Sequence, residues 1–269
     1  MKGFDWSRKV MIGMVHLRAL PGTPRASLTM REICATAVRE AALLREAGFD
    51  AVLIENMHDV PYVRRNVGPE ITAAVTAALC AVRQAVDCPI GVQILAGANQ
   101  QALAAAFAAD AQFVRCEGFV FGHIADEGWI ESDAGELLRM RKAIGAHHVA
   151  VFADVKKKHS SHAVTSDVSL GETAQAAEFF GADGIIVTGR ATAEPTAGSD
   201  LQQVRQATQL PVLVGSGTTL ETLAEHWSNA DGFIVGSWLK SHGRWDEEIV
   251  PERVALLMAA ARRLREATP

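Results

Sequence analysis

The chain lacks the features that mark most specialised protein classes. Its four cysteines, at 34, 80, 88 and 116, include no C-x-x-C pair, so the spacing contains neither a disulfide framework nor a zinc knuckle. They read as reduced thiols in a cytoplasm. No apolar run reaches the roughly 18 residues of a membrane span, and the opening MKGFDWSRKVMIGMVHL, broken by Asp5, Arg8 and Lys9, does not read as a signal peptide. Basic charge is not in excess either. With 26 Lys and Arg against 31 Asp and Glu the formal net charge is -5, which argues against a general nucleic-acid binder. No Pro/Gly/Ser linker, charge block or low-complexity segment divides the chain, no G-x-G-x-x-G follows the first apolar run, and no H-x-H or H-E-x-x-H spacing occurs. The class left by these absences is a cytoplasmic protein with a small-molecule ligand.

What is present is a single large alternation. Of 269 residues, 49% are hydrophobic, enough for one core of barrel size. Eight short apolar runs read as strands: Val10–Leu17, Ala51–Asn56, Ile90–Leu95, Phe113–Phe119, Val149–Lys156, Gly184–Thr188, Val212–Gly215 and Phe233–Gly236. Between them lie alanine-rich amphipathic stretches with helix-start signals. Thr29 with Glu32, Ser169 with Glu172, Ser199 with Gln202 and Thr218 with Glu221 have capping-box spacing, and Pro69 suits a first helical turn. A tag of the form AGFDAVLI, AADAQFV, GADGIIV or NADGFIV precedes four of the runs. A repeated helix–turn–strand unit predicts a (β/α)₈ TIM barrel, one domain over 1–269.

Barrels of this kind carry their sites at the C-terminal ends of the strands, so the polar residues closing the runs are the candidates. His16, Glu55, Asn56, Gln93, Arg115, Glu117, Asp154, Lys156 and Thr188 are expected to converge there. The richest stretch is AVFADVKKKHSSH at 150–162. Strand alternation puts Phe152, Asp154, Lys156 and Lys158 on one face and predicts that Lys157 points away. Lys156 is then the lysine for chemistry, through a Schiff base or by stabilising an enolate, with Lys158 and His159 placed to touch substrate. Glu55, Glu117 and Asp154 with His16 suit acid–base work, or a divalent cation of the hard type, magnesium or manganese. Each of these residues also has a plain packing role open to it.

The last two runs end differently, in VGSGTT and in VGSW. Gly215, Ser216, Gly217, Gly236 and Ser237 would let backbone amides approach an anion at the start of a helix near Thr218, which predicts a phosphate cradle. Tryptophans 238 and 245, in the segment 237–254, either line a pocket or anchor an interface, and self-association into a homo-oligomer is expected from them.

Taken together, GMVHLRALPGTP at 13–24, ENMHDVPY at 55–62, RCEGFVF at 115–121, FADVKKKHSSH at 152–162, VTGRATAEPT at 187–196 and VGSGTT at 214–219 resemble the BtpA/SgcQ family of predicted phosphate-binding TIM-barrel proteins. The resemblance covers nearly the whole chain. It implies the barrel, and it implies two kinds of function. One is an enzyme acting on a phosphorylated sugar or nucleoside-derived molecule by lyase, isomerase or glycoside-cleaving chemistry. The other is a non-enzymatic biogenesis factor related to photosystem I assembly. Retention of carboxylates, lysines and a glycine cradle around one mouth favours the enzyme.

Overall fold

In a computed structural model, which describes residues 4–157, 159–189 and 196–267, the eight apolar runs become the staves of one closed barrel. In chain order the strands are β1 (Val10–His16), β2 (Ala51–Glu55), β3 (Ile90–Gln93), β4 (Phe113–Cys116), β5 (His123–Ala125), β6 (Gly128–Ile130), β7 (Ala150–Val155), β8 (Ser160–Ser161), β9 (Gly184–Val187), β10 (Val212–Val214) and β11 (Gly232–Val235). The barrel closes in the order β1-β11-β10-β9-β7-β4-β3-β2, and every neighbouring pair is parallel. Helices α1 (Met30–Ala47), α2 (Pro69–Ala85), α3 (Asn99–Ala108), α4 (Ala134–Ala143), α5 (Leu170–Phe179), α6 (Gly198–Ala207), α7 (Leu220–His226) and α8 (Pro251–Ala267) follow the barrel strands in turn. The expected (β/α)₈ architecture is therefore the observed one.

Strand alternation divides the apolar residues into two cores. One set, including Ile12, Leu53, Phe113, Phe152, Leu213 and Ile234, fills the barrel interior. The alternate set, including Val15, Ile54, Val92 and Val151, packs against the helices. Near the N-terminus of the chain, Phe4 lies 5.0 Å from Trp6 and meets Phe113 edge-on at 5.5 Å, so the interior is plugged by aromatic rings. Access is left to the other end.

Local start signals succeed where one residue alone satisfies the spacing. Thr29 and Ser169 form complete capping boxes with Glu32 and Glu172, and Pro69 opens α2 behind Gly68. Two expected starts are corrected. Helix α6 begins at Gly198 behind Ala197, which places Ser199 inside it rather than at its cap. Helix α7 is capped by Thr219 paired with Thr222, one residue later than the Thr218 and Glu221 pair, because successive threonines offer the same hydroxyl in both registers.

An addition was not anticipated. β5 and β6 form a hairpin after β4, and β8 after β7 joins it in a three-stranded antiparallel sheet ordered β6-β5-β8. It caps one side of the mouth. Among the described residues, no helix is long and apolar enough to cross a membrane.

Candidate active site at the barrel mouth

Each barrel strand contributes one residue of interior parity at or just past its C-terminal end: His16, Glu55, Gln93, Arg115, Asp154, Thr188, Gly215 and Gly236. Six carry polar side chains and two carry none. All six are at most 8% exposed. The two glycines are adjacent in the barrel and are there for space. A Cβ on Gly215 would lie 2.4 Å from Ile186 Cγ2, and one on Gly236 would lie 3.2 Å from both His16 Nε2 and Met14 Cγ.

Above these glycines opens a cavity of about 220 Å³. Its walls are the turns after β10 and β11, with Gly215, Ser216, Gly217, Gly236 and Ser237 all present, and its remaining sides include His16, Glu55, Arg115, Met14, Met57 and Trp238. The five residues expected to hold an anion thus share one cavity with three of the candidate polar residues. Gly217 has a φ of 67°, in the region that favours glycine. Among the described residues none accepts from the backbone N–H of Ser216, Gly217 or Thr218, and Thr218 Oγ1 is buried without a hydrogen-bond partner. The Ser216 hydroxyl accepts from Gly189 N at 2.9 Å and fixes the loop. A helix dipole contributes less than the sequence suggested, since α7 spans only seven residues and its Thr222 amide already meets the Thr219 cap.

The titratable groups occur as ion pairs. His16 Nε2 stands 3.6 Å from Glu55 Oε2. Its Nδ1 lies 3.2 Å from the Trp245 carbonyl, which can only accept, so Nδ1 carries a proton and Nε2 faces the carboxylate and the cavity. Arg115 Nε donates to both oxygens of Asp154, at 3.2 and 3.1 Å. Burial works against the guanidinium charge, but Asp154, Glu55 and Glu117 outweigh it and the pKa is raised. Lys157 Nζ lies 3.1 Å from Glu117 Oε2 and 3.8 Å from Glu127 Oε2. There too burial opposes the charge, the two carboxylates prevail, and the ammonium is held above its usual range.

The lysine register is a correction. Strand β7 stops at Val155, and Lys156 adopts a φ of 48°, which breaks the alternation on which the expectation rested. Lys157, expected to point away, is buried among the mouth carboxylates. Lys156 turns aside and donates to the carbonyls of Thr165 and Val168. Lys158 lies outside the described residues. His159 is exposed.

Other candidates have quieter positions. Asn56 donates to Asp59 Oδ2 at 2.8 Å and accepts from Leu95 N at 2.7 Å, so it straps the ends of β2 and β3 together. Gln93 Oε1 and Thr188 Oγ1 are buried without a hydrogen-bond partner. Among the described residues, no three His, Cys, Asp or Glu side chains come together as a metal site, and the carboxylates considered for one face His16, Arg115 and Lys157 instead. At the hairpin, the His123 ring lies 5.2 Å from that of His162, tilted by 42°, and burial, helped by His162 and Lys157, lowers the His123 pKa to about 4. The segment after β11 folds over the mouth. Trp245 packs on His58 at 5.0 Å and Arg253 lies 4.6 Å over the Trp238 ring, so both tryptophans have contacts within the chain. Sequence reasoning missed Glu127, Met57 and the Trp245 carbonyl, since no local pattern reports which loop folds over a barrel end.

Fold and mouth together define a TIM barrel with buried ion pairs at the strand ends and open glycine turns after its last two strands. The chain belongs to the BtpA family, whose model matches residues 7–263. It is 44% identical to an uncharacterized mitochondrial protein of Caenorhabditis elegans, over 94% of this chain and 92% of that one. It is 34% identical to the photosystem I biogenesis protein BtpA of Synechocystis, over 93% and 87%. Among solved structures, phosphoribosyl anthranilate isomerase from Thermus thermophilus superposes with a TM-score of 0.59 at 14% identity, covering 95% of this chain and 99% of that one. Orotidine 5'-phosphate decarboxylase from Pyrococcus horikoshii gives 0.57 at 13%, covering 94% and 99%. At such identities the likeness is one of fold.

Proposed function

We propose that the protein is an enzyme acting on a phosphorylated sugar or nucleoside-derived small molecule by lyase, isomerase or glycoside-cleaving chemistry. The observation that carries this reading is the single cavity that joins the open amides of 216–218 to His16, Glu55 and Arg115. Phosphate oxygens would accept from those amides, and the glycines allow the close approach. Two structural neighbours, named for phosphoribosyl and 5'-phosphate compounds, accord with the proposal. At the other side of the cavity His16 Nε2 and Glu55 are the acid–base pair. They stand 3.6 Å apart and both line the cavity, where either could exchange a proton with substrate. Arg115, kept charged by Asp154, would stabilise negative charge that develops beside them.

Thermal-shift titration with phosphorylated metabolites tests the proposal, because a ligand of the folded state raises its apparent stability by mass action. Phosphorylated compounds should stabilise the protein and their dephosphorylated counterparts should not. Gly217→Val should abolish that difference. Equal loss for both members of a pair would reduce the cradle to two ordinary turns. The name of the Synechocystis relative favours a second reading, an assembly role. Glu55→Gln separates the two, since it would stop turnover and leave an assembly role intact.

A further inference from the structure

The guanidinium of Arg115 is held through one nitrogen. Nε meets both oxygens of Asp154, and among the described residues none accepts from Nη1 or Nη2. The residue is 4% exposed, yet it lines the main cavity, and a Cβ on Gly215 would sit 3.4 Å from Nη2. The guanidinium of this almost wholly buried residue is therefore oriented by Asp154, with Nη2 close beneath the turn at Gly215. Its Nη donors are left to whatever enters the cavity. A planar fork of this kind matches the two coplanar oxygens of a carboxylate.

Charge decides between the anions that could take the fork. Asp154, Glu55 and Glu117 all act on Arg115, so a phosphate dianion brought to the guanidinium would be repelled more strongly than a singly charged carboxylate. The open amides of 216–218 lie in the turn past the end of β10, whereas Arg115 lies within β4. The two anion-binding features belong to different levels of one small cavity. Resting on the phosphate reading above, we infer that the substrate carries a carboxylate as well as a phosphate. Its class is a short phosphorylated sugar acid or hydroxy acid, with the carboxylate seated on Nη1 and Nη2 of Arg115 and the phosphate on the glycine turns.

Matched probes test this by calorimetry: 3-phosphoglycerate against glycerol 3-phosphate, 6-phosphogluconate against sorbitol 6-phosphate, and glycerate and gluconate without phosphate. At least one phosphorylated acid should bind about 10- to 100-fold more tightly than its alcohol, the worth of charged hydrogen bonds. Arg115→Lys, which keeps a cation beside Asp154 but not the fork, should remove that preference and leave the alcohol's affinity in place. Asp154→Asn, which loosens the orientation, should reduce it. Gly217→Val should weaken both members of each pair by the same factor. Equal binding of acid and alcohol by the wild-type protein overturns the inference, and so does an Arg115→Lys variant that weakens both alike, for then Arg115 reads the phosphate. If glycerate or gluconate binds in an Arg115-dependent way while the phosphate adds nothing, the phosphate reading falls and the carboxylate stands. No binding by any probe overturns both.

Discussion

Replacing Lys157 by methionine removes the cation that stands 3.1 Å from Glu117 and 3.8 Å from Glu127. Two carboxylates are then left together in a site where the lysine was 7% exposed. Methionine has similar length and fills the space, so the loss is electrostatic more than steric. Breaking a buried pair from one side costs about 3–5 kcal/mol, and for a chain of this size each kcal/mol lowers the melting temperature by roughly 2–4 °C. The expected fall is on the order of 10 °C. Circular-dichroism melts of the wild-type protein, K157M, E117Q and the double variant K157M/E117Q measure it. The double variant should melt above K157M, because glutamine no longer strands a charge. The pH dependence has a definite sign. Lys157 is held above 10.5 in the folded protein, so its contribution is complete below the unfolded value and is lost as pH rises through the higher folded one. The gap between wild type and K157M should stay constant through neutral pH and, on the alkaline side, narrow above about 10.5. An unchanged melting temperature for K157M, or a double variant no better than the single, would refute the buried pair.

The same reasoning extends to other groups. Burial, with nearby cations, lowers the pKa values of His58 and His123 from 6.5 to about 4, so as pH falls from 6.5 towards 4 the unfolded chain takes up protons that the folded chain refuses. Denaturation curves should show stability falling over that window, with a smaller fall in His123→Gln. Gly215→Ala should destabilise by about 1–3 kcal/mol through its 2.4 Å overlap with Ile186; Gly236→Ala, meeting neighbours at 3.2 Å, should melt closer to wild type and lose ligand affinity instead. Glu40 and Lys240 are buried, with the Glu40 carboxylate oxygens and Lys240 Nζ lacking hydrogen-bond partners. Burial pushes the Glu40 pKa up and the Lys240 pKa down, so E40L/K240M should be no less stable than the wild-type protein in urea unfolding.

What the sequence could reveal was whatever is decided within a few residues. The eight strands follow from runs such as Ala51–Glu55, whose apolar side chains serve the interior on one face and the helices on the other. The mouth residues from His16 to Thr188 follow from them, since a strand end fixes a side chain's level in the barrel. Alternation then failed where the backbone left the strand. The positive φ at Lys156 interchanged the roles of two adjacent lysines. The hairpin at 123–130 has strands of three residues, too short for any period to appear. The Trp245 carbonyl reaches His16 across 229 positions of sequence, a contact that only packing determines.

The ring of eight residues at the mouth also bears on how such a site can change. Its six side chains come from strands before residue 190, while both glycines belong to strands after 211. On the proposed function, the acid–base groups and the phosphate turns would therefore occupy separate lengths of chain that meet only in the closed barrel. An exchange of 212–243 between relatives would then alter the phosphate turns and leave every ring side chain in place, and substitutions in β1 to β9 would change the groups beside an unaltered phosphate handle. The architecture allows the two properties to be inherited, and engineered, independently.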